Sequence, residues 1–347
     1  MDRSRKIALL GPATFVALSL ASVEACVSDD AIAPAPIADA ATPDAPSEVG
    51  GDDGASLDAP VADSPNDSSA DAADASAPRT TNVMFVTSTS HNGNLGGLVG
   101  ADALCAARAT AAGLSGTFVA WLSTSAIGAA TRLGSARGWL RVDGMPFVDT
   151  VADLTQAKVL YPPAIDETGT RVAANSAGAW TGTQSDGTVG DVNLTCADWT
   201  DDGTDAGGPG IGHVGRASAG GGEWTGSSNA SCSGSARLYC FQTDFSKALA
   251  PLPPPAGRVA FVTAGKFDTS TGLTGADTLC QGEAVLASLA GTFKAFLATS
   301  AASAVSRFDT SGTPWSRPDG VRVVAVAADL AAGQLTAPID VGADKTS

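Results

Sequence analysis

The sequence contains a long internal repeat, and the second copy of that repeat is incomplete. Residues 100–105, Gly-Ala-Asp-Ala-Leu-Cys, recur as residues 275–280, Gly-Ala-Asp-Thr-Leu-Cys, and residues 116–125 recur in similar form as residues 291–300. The copies lie 175 or 176 residues apart in the chain, far more than the roughly 20–50-residue period of solenoid repeats. The sequence therefore predicts two related domains, and each copy helps to interpret the other.

The two predicted domains differ in completeness. The first covers residues 82–244 and the second covers residues 258–347, with a Pro-rich linker at 245–257 that is expected to be stiff and extended. The second copy lacks a counterpart of residues 174–244. It is therefore interpreted as the N-terminal half of a domain, either because the sequence is truncated after Ser347 or because the copy has degenerated. We expect this half not to fold stably by itself.

Residues 1–25 have the features of a signal peptide. Basic residues near the start precede an apolar stretch, residues 7–20, that is too short for a good membrane-spanning helix. Small residues Val23 and Ala25 then stand before Cys26. A cysteine directly at the cleavage site favours a bacterial lipoprotein with lipid on Cys26, located at the outer membrane or cell surface. Ordinary signal peptidase would cut the same bond and give a secreted or periplasmic protein.

Residues 27–80 are predicted to be a disordered acidic tether. They contain twelve acidic residues, one arginine and no aromatic residue, and are otherwise mostly Ala, Pro, Ser and Gly. Such a segment buries too little apolar area to offset the chain entropy lost on folding. Most of the net charge of −16 lies here. The acidity is therefore a property of the tether, and it argues against a nucleic-acid partner.

Five cysteines remain when the predicted lipidation site is set aside. An exported domain with four cysteines is typically closed by two disulfides, for which three connectivities are possible. Cys280 aligns with the first of these four, but the second copy lacks the segment that would supply its partner. Cys280 is therefore predicted to be unpaired. The four cysteines of the first domain are Cys105, Cys196, Cys232 and Cys240.

The order of predicted elements indicates an α+β fold. Hydrophobic patterning, Gly positions and an Asp-Gly turn define the elements of the first domain. Strands are expected at 82–88, 117–122 and 237–241, helices at 98–112 and 125–133, and a hairpin at 139–148.

Several of these segments together resemble the bacterial endostatin-like domain, a domain with a C-type-lectin-like fold. The resemblance rests on the motifs at residues 85–87, 95–97, 100–105, 121–123, 180–182 and 237–241. The best-known members are the leptospiral endostatin-like outer-membrane lipoproteins, and the family has no settled function. The resemblance implies one complete and one truncated copy of the fold. It also implies the disulfides Cys105–Cys240 and Cys196–Cys232, and a surface-exposed binding protein.

We therefore predict a lipid-anchored binding or adhesion protein rather than an enzyme. Its ligand would be an extracellular protein or glycan, recognised by the loop region 175–235. Trp180, Trp199 and Trp224 are the candidate contact residues, because large aromatic side chains anchor many interfaces. No nucleophile elbow and no His-Glu-x-x-His motif occurs, and both histidines are expected at the surface.

The alternative function is a Ca²⁺-dependent lectin. Hard cations bind several carboxylate oxygens on a turn, and the candidate metal ligands are Asp198, Asp201, Asp202 and Asp205. However, Pro209 stands where an EF-hand loop needs a bidentate Glu. The Glu-Pro-Asn sugar-binding signature of lectins is also missing. No other cofactor is predicted.

Overall fold

The computed structural model describes residues 25–31, 79–204, 210–255 and 257–346. The predicted signal peptide up to residue 24, residues 32–78 of the predicted tether and Asp205 lie outside the described residues. The described part of the chain forms two units. Unit 1 lies within residues 79–255, and unit 2 combines residues 257–346 with the N-terminal segment 25–31.

Most regular elements are short, and each unit contains one longer helix. The strands are β1 (Ala25–Ser28), β2 (Asn82–Val86), β3 (Phe118–Ala120), β4 (Trp139–Arg141), β5 (Pro146–Val148), β6 (Gly178–Trp180), β7 (Ile211–Arg216), β8 (Ser228–Ser231), β9 (Arg237–Gln242), β10 (Arg258–Val262), β11 (Phe293–Ala295) and β12 (Trp315–Ser316). The helices are α1 (Gly97–Ala111), α2 (Ala129–Arg132), α3 (Val151–Thr155), α4 (Cys196–Trp199), α5 (Gly272–Leu286) and α6 (Ala328–Ala332).

Unit 1 is built on a sheet with the strand order β5-β4-β2-β9-β6-β7-β8, and β3 also pairs with β9. Val83 and Phe85 of β2 point to one face of this sheet, while Met84 and Val86 point to the other, and all four are buried. Strand β2 is therefore covered on both sides. A sheet of parallel and antiparallel strands together with helices agrees with the predicted α+β class.

Helix α1 packs on one face through small side chains spaced four residues apart. Ala101, Cys105 and Ala109 are buried on that face, as expected for residues that follow one another along the same side of a helix. Cys105 is bonded to Cys240 of β9, with the two Cα atoms 5.5 Å apart. Helix and sheet are thus joined covalently at the centre of the unit, in the pairing that the family resemblance implies.

The repeat in the sequence corresponds to a repeated polar scaffold. In unit 1, Asp102 accepts a hydrogen bond from the backbone N–H of Ala120 at 2.8 Å and forms an ion pair with Arg132 at 2.6 Å. In unit 2, Asp277 accepts the equivalent bond from Ala295 at 2.9 Å and pairs with Arg307 at 2.6 Å. The same residues at the same spacing therefore fix the long helix against the following strand in both copies.

Unit 2 obtains a central strand from the N-terminus of the chain. Its sheet has the order β11-β1-β10-β12, and β1 is antiparallel to both neighbours. Cys26 lies opposite Phe261 on one side and Ala295 on the other. Strand β9 lies between the corresponding strands of unit 1, where Cys240 is opposite Phe85 and Ala120. Strand β1 therefore occupies in unit 2 the position that β9 occupies in unit 1.

This arrangement corrects three sequence-based predictions. Cys280 is not unpaired, because it is bonded to Cys26, with the Cα atoms 5.4 Å apart. Cys26 is not a lipid attachment site in this structure, because a sulfur committed to a disulfide cannot also form a thioether. The tether does not begin at residue 27, because Val27 and Ser28 are fully buried strand residues.

The two units contact each other through a small apolar cluster. Tyr161 of unit 1 is buried against Val321 and Ala337 of unit 2, with Leu252 of the Pro-rich linker packed beside them. The backbone N–H of Arg322 donates to the Tyr161 hydroxyl at 2.9 Å. The predicted linker is therefore part of the contact between the units.

Within the described ranges, none of the helices combines the length and the apolar character that are needed to cross a membrane.

Candidate functional site

The three tryptophans predicted to contact a ligand lie inside unit 1. Trp180, Trp199 and Trp224 are each 0% exposed. Trp224 packs among aromatic rings, with its centroid 5.1 Å from that of Trp121 and 5.3 Å from that of Phe147. The prediction that these rings meet a ligand is therefore wrong for this structure. Trp180 and Trp199 belong to the core cluster that α1 covers, and Trp224 belongs to the cluster on the opposite face of the sheet.

Asp198, a predicted metal ligand, acts within the protein. Its carboxylate accepts hydrogen bonds from the backbone N–H of Ser125 at 2.6 Å and from the Ser125 hydroxyl at 2.7 Å. Burial raises the pKa of Asp198, but the bonds from Ser125 and Thr195 outweigh it and hold the pKa below its ordinary value. The carboxylate therefore ties the loop to the segment that follows β3.

The backbone around Asp198 is strained. Cys196, Ala197, Asp198 and Trp199 all have positive φ, between 47° and 68°, where a side chain normally costs about 1–2 kcal/mol per residue. The disulfide from Cys196 to Cys232 fixes one end of this left-handed turn. That disulfide also follows the pairing that the resemblance implies.

The other predicted metal ligands do not converge with Asp198 on one point. Asp201 is 6% exposed and accepts a bond from the Gly203 N–H at 2.7 Å. Asp202 is engaged in a local turn with Thr204, and Asp205 lies outside the described residues. Among the residues that the structure describes, no group of three His, Cys, Asp or Glu side chains is arranged to hold a metal ion.

The loop region nevertheless forms a shallow polar pocket of about 310 Å³, which we call the loop pocket. Strand β7 and the loops on either side of it supply its walls. The lining residues are Gln184, Ser185, Gly190, Asp191, Leu194, His213 and Gly226.

His213 is the central side chain of the loop pocket. Its Nδ1 is 2.7 Å from the Asn229 side-chain oxygen, and because that oxygen only accepts, Nδ1 carries the proton and Nε2 is left as an acceptor when the ring is neutral. A Cβ at Gly226 would lie 3.3 Å from Nε2. The glycine therefore keeps this side of the imidazole open.

Two local turns hold the rest of the pocket in shape. Asp186 accepts bonds from the N–H and hydroxyl of Thr188, at 3.0 and 2.6 Å, which closes the turn that carries Gln184 and Ser185. Asp191 accepts a bond from the Asn193 N–H at 3.0 Å and so begins a short 3₁₀ turn. Asx turns of this kind stabilise a loop locally, so the polar groups of the pocket are positioned in advance of any ligand.

The lining of the pocket offers several hydrogen-bonding groups of different chemistry. They are an imidazole, an amide, a hydroxyl and a carboxylate. Two aliphatic side chains on the same elements, Val192 and Ile211, are 53% and 42% exposed.

The loop pocket lies within region 175–235, where sequence analysis predicted the recognition surface, but its lining does not include the predicted tryptophans. Sequence analysis expected His213 at the surface, and the structure leaves it partly exposed in β7. The tryptophans were chosen because the sequence does not show which way a loop side chain points.

Comparison with known proteins adds no further constraint. Neither the models of known protein families nor the curated proteins give a match to this chain.

Proposed function

We propose that the protein is an exported binding protein that recognises an extracellular protein or glycan through the loop pocket. The observation that carries the proposal is the polar lining around His213, which local turns hold in place before any ligand binds. The imidazole Nε2 can accept a hydrogen bond from a hydroxyl or amide of the ligand, and Gln184 can both donate and accept.

Export is supported by the cysteines. All six form disulfides in this structure, and such bonds persist in oxidising compartments outside the cytosol. An exported protein with a rigid, disulfide-pinned loop surface has the properties expected of a recognition module. The C-type-lectin-like, endostatin-like assignment of unit 1 remains part of this proposal. It is supported by the long helix bonded to the last strand and by the second disulfide within the loops.

The test is a binding screen with the intact exported protein. Glycan arrays and a panel of extracellular proteins would first identify a ligand. His213→Ala is then expected to weaken its binding at least about tenfold, equivalent to about 1.4 kcal/mol. The unfolding temperature should change little, because His213 is partly exposed.

The matched control is Val99→Ser. Val99 is 83% exposed on α1, outside the loop region, so this variant should bind the same ligand with unchanged affinity. Equal binding by the wild-type and His213→Ala proteins would contradict the loop pocket as the recognition site. A loss that is the same in both variants would also contradict it.

A Ca²⁺-dependent lectin is the second candidate, and one observation favours it. The Oδ2 atom of Asp201 is buried and has no hydrogen-bond partner among the described residues, and a buried carboxylate oxygen normally has a partner. Binding of Ca²⁺ there would raise the unfolding temperature with added CaCl₂ and lower it with EDTA. If EDTA changes neither the unfolding temperature nor glycan binding, the lectin proposal is rejected and the first proposal remains.

A further inference from the structure

The position of β1 in unit 2 is specified residue by residue, as a binding site would specify a peptide. Six consecutive residues, 25–30, take the places that residues 239–244 take in unit 1. The carbonyl of Ala25 accepts from the Phe296 N–H at 2.7 Å, as the carbonyl of Tyr239 accepts from Trp121 at 2.8 Å. Backbone pairing of this kind gives affinity in strand addition.

The side chains of the segment fill separate subsites. Cys26 enters the cluster that contains Phe261 and Phe293 and is bonded to Cys280. Val27 points to the opposite face of the sheet, into the cluster around Trp315. A strand shifted by one residue would exchange these two faces. The cleft between β10 and β11 therefore selects one register.

The polar end of the segment is also recognised. The Ser28 hydroxyl accepts from the Val259 N–H at 2.8 Å, where unit 1 uses the Gln242 side chain on Val83 at 3.1 Å. The Asp30 carboxylate accepts from the Thr292 N–H at 2.8 Å. Asp244 does the same for Thr117 at 2.9 Å. The common pattern in both strands is Cys-x-x-x-Asp.

The Asp29 carboxylate contributes a further contact outside this pattern. It pairs with the ammonium group of Lys294 at 2.7 Å. The cleft therefore combines backbone pairing, two apolar subsites, a thiol and a cation that meets an acidic side chain.

None of these contacts requires the strand to come from the same chain. Forty-seven residues, 32–78, connect Ala31 to unit 1, and at full extension such a length reaches up to roughly 160 Å. Strands that are joined to their domain only through a long connection are exchanged between copies at low cost.

We propose that the cleft between β10 and β11 is a strand-binding site that accepts residues 26–30 of a second copy of this chain as well as its own. The product is a pair of copies joined through a buried Cys26–Cys280 bond. This proposal is independent of the loop pocket and goes beyond it, since it assigns unit 2 a role in self-association.

The experiment uses two full-length variants that can form this bond only between chains. The donor variant carries Cys280→Ser and keeps its strand. The acceptor variant carries Cys26→Ser and Val27→Asp, which weaken its own strand. They are mixed in a buffer of reduced and oxidised glutathione. Oxidised glutathione forms a mixed disulfide with Cys26 and releases one thiol. The Cys280 thiolate then attacks the Cys26 sulfur and expels the second glutathione thiolate.

The expected product is a disulfide-linked heterodimer on a nonreducing gel, with a Cys26–Cys280 peptide found by mass spectrometry. Adding Val27→Asp to the donor should lower its yield at least about tenfold, because the change buries an unpaired charge. Absence of the heterodimer, both with this acceptor and with the single-site acceptor described next, would overturn the proposal. An equal yield from the Val27→Asp donor would also overturn it, because it would show unspecific thiol pairing.

The acceptor variant could fail to fold in unit 2 before it meets a donor strand. A second acceptor that carries only Cys26→Ser keeps Val27 and the rest of its own strand, and it is tested in parallel. It should form the same Cys26–Cys280 heterodimer more slowly, because its own strand competes at an effective concentration in the millimolar range. Failure of both acceptors to form the bond would refute the strand-binding site.

Discussion

The indole Nε1 of Trp315 donates a hydrogen bond to the backbone carbonyl of Ser28 at 2.7 Å, across 287 residues of sequence. In unit 1 the indole of Trp139 donates to the carbonyl of Gln242 at 2.8 Å. Both tryptophans are fully buried. The same anchor therefore holds two strands that come from opposite ends of their respective units.

The Ser28 hydroxyl is predicted to stabilise unit 2. Ser28→Ala leaves the buried Val259 N–H without its acceptor, and an unsatisfied buried donor costs about 1–3 kcal/mol. We expect faster hydrogen exchange of the Val259 amide, measured by mass spectrometry, and a lower unfolding temperature of unit 2. Ser231→Ala, at an exposed residue of β8, is the control and should leave both unchanged. Unchanged protection of Val259 in Ser28→Ala would show that β1 is not in its described place.

Lipid attachment and strand donation exclude each other at Cys26. Because the Cys26 side chain is 0% exposed and bonded to Cys280, we expect the folded, exported protein to carry no lipid. Intact-mass spectrometry of protein exported by a bacterial host should give the mass of an unlipidated chain with three disulfides. A diacylglyceryl adduct on Cys26 would contradict the prediction, and would leave Cys280 without the partner seen here.

The left-handed turn at Ala197 predicts a stabilising substitution to glycine. Ala197 is exposed and has φ 50° and ψ 55°, a conformation that costs about 1–2 kcal/mol for a residue with a Cβ. Glycine removes this cost but loses more entropy on folding, by about 0.5–1 kcal/mol. Ala197→Gly should therefore raise the free energy of unfolding of unit 1 by up to about 1 kcal/mol, measured by denaturant titration.

The control for this prediction has the opposite sign. Ala106 is exposed in the middle of α1, where glycine is unfavourable by about 0.5–1 kcal/mol. Ala106→Gly should therefore lower the free energy of unfolding. If both glycine variants are destabilised to the same extent, residue 197 does not adopt the left-handed conformation in solution.

Unit 1 is predicted to lose stability below neutral pH because of His91. Burial, with a smaller contribution from the charge of Arg108, lowers the pKa of His91 from its ordinary value. The folded state therefore binds the proton more weakly than the unfolded state, whose histidine titrates near about 6.5. The stability is complete above that value and falls as the pH drops through it toward the lower pKa of the folded state.

The measurement is the unfolding temperature of unit 1 between pH 8 and pH 5. His91→Gln should show a smaller decrease over this interval than the wild type, while the two proteins are compared at pH 8 to correct for other effects of the substitution. Some carboxylates have a lowered pKa in the folded state, such as Asp244. They change the stability only at pH values below the ordinary pKa of Asp. Parallel curves for the two proteins would contradict the assignment to His91.

Local patterns predicted the elements that are formed by neighbouring residues. The helix expected at 98–112 is α1 at Gly97–Ala111, and the strand expected at 237–241 is β9 at Arg237–Gln242. The helix expected at 125–133 is shorter, Ala129–Arg132, because Thr124 and Ile127 form a turn in which the Thr124 N–H donates to the Ile127 carbonyl at 2.9 Å. Periodicity identifies an element but not how far tertiary contacts allow it to extend.

The sequence alone determined the duplication and the scaffold that is common to both copies. Asp102 and Asp277 could be equated from their spacing, and the structure gives them the same partners. Tertiary structure alone decided which cysteine bonds to Cys280 and which side chains of the loops face outward. A four-residue strand such as β1 carries no periodic signal of its own, since it is defined by backbone bonds to strands more than 200 residues away. The Cys-x-x-x-Asp pattern that links it to β9 acquires meaning only when both strands are seen in equivalent places.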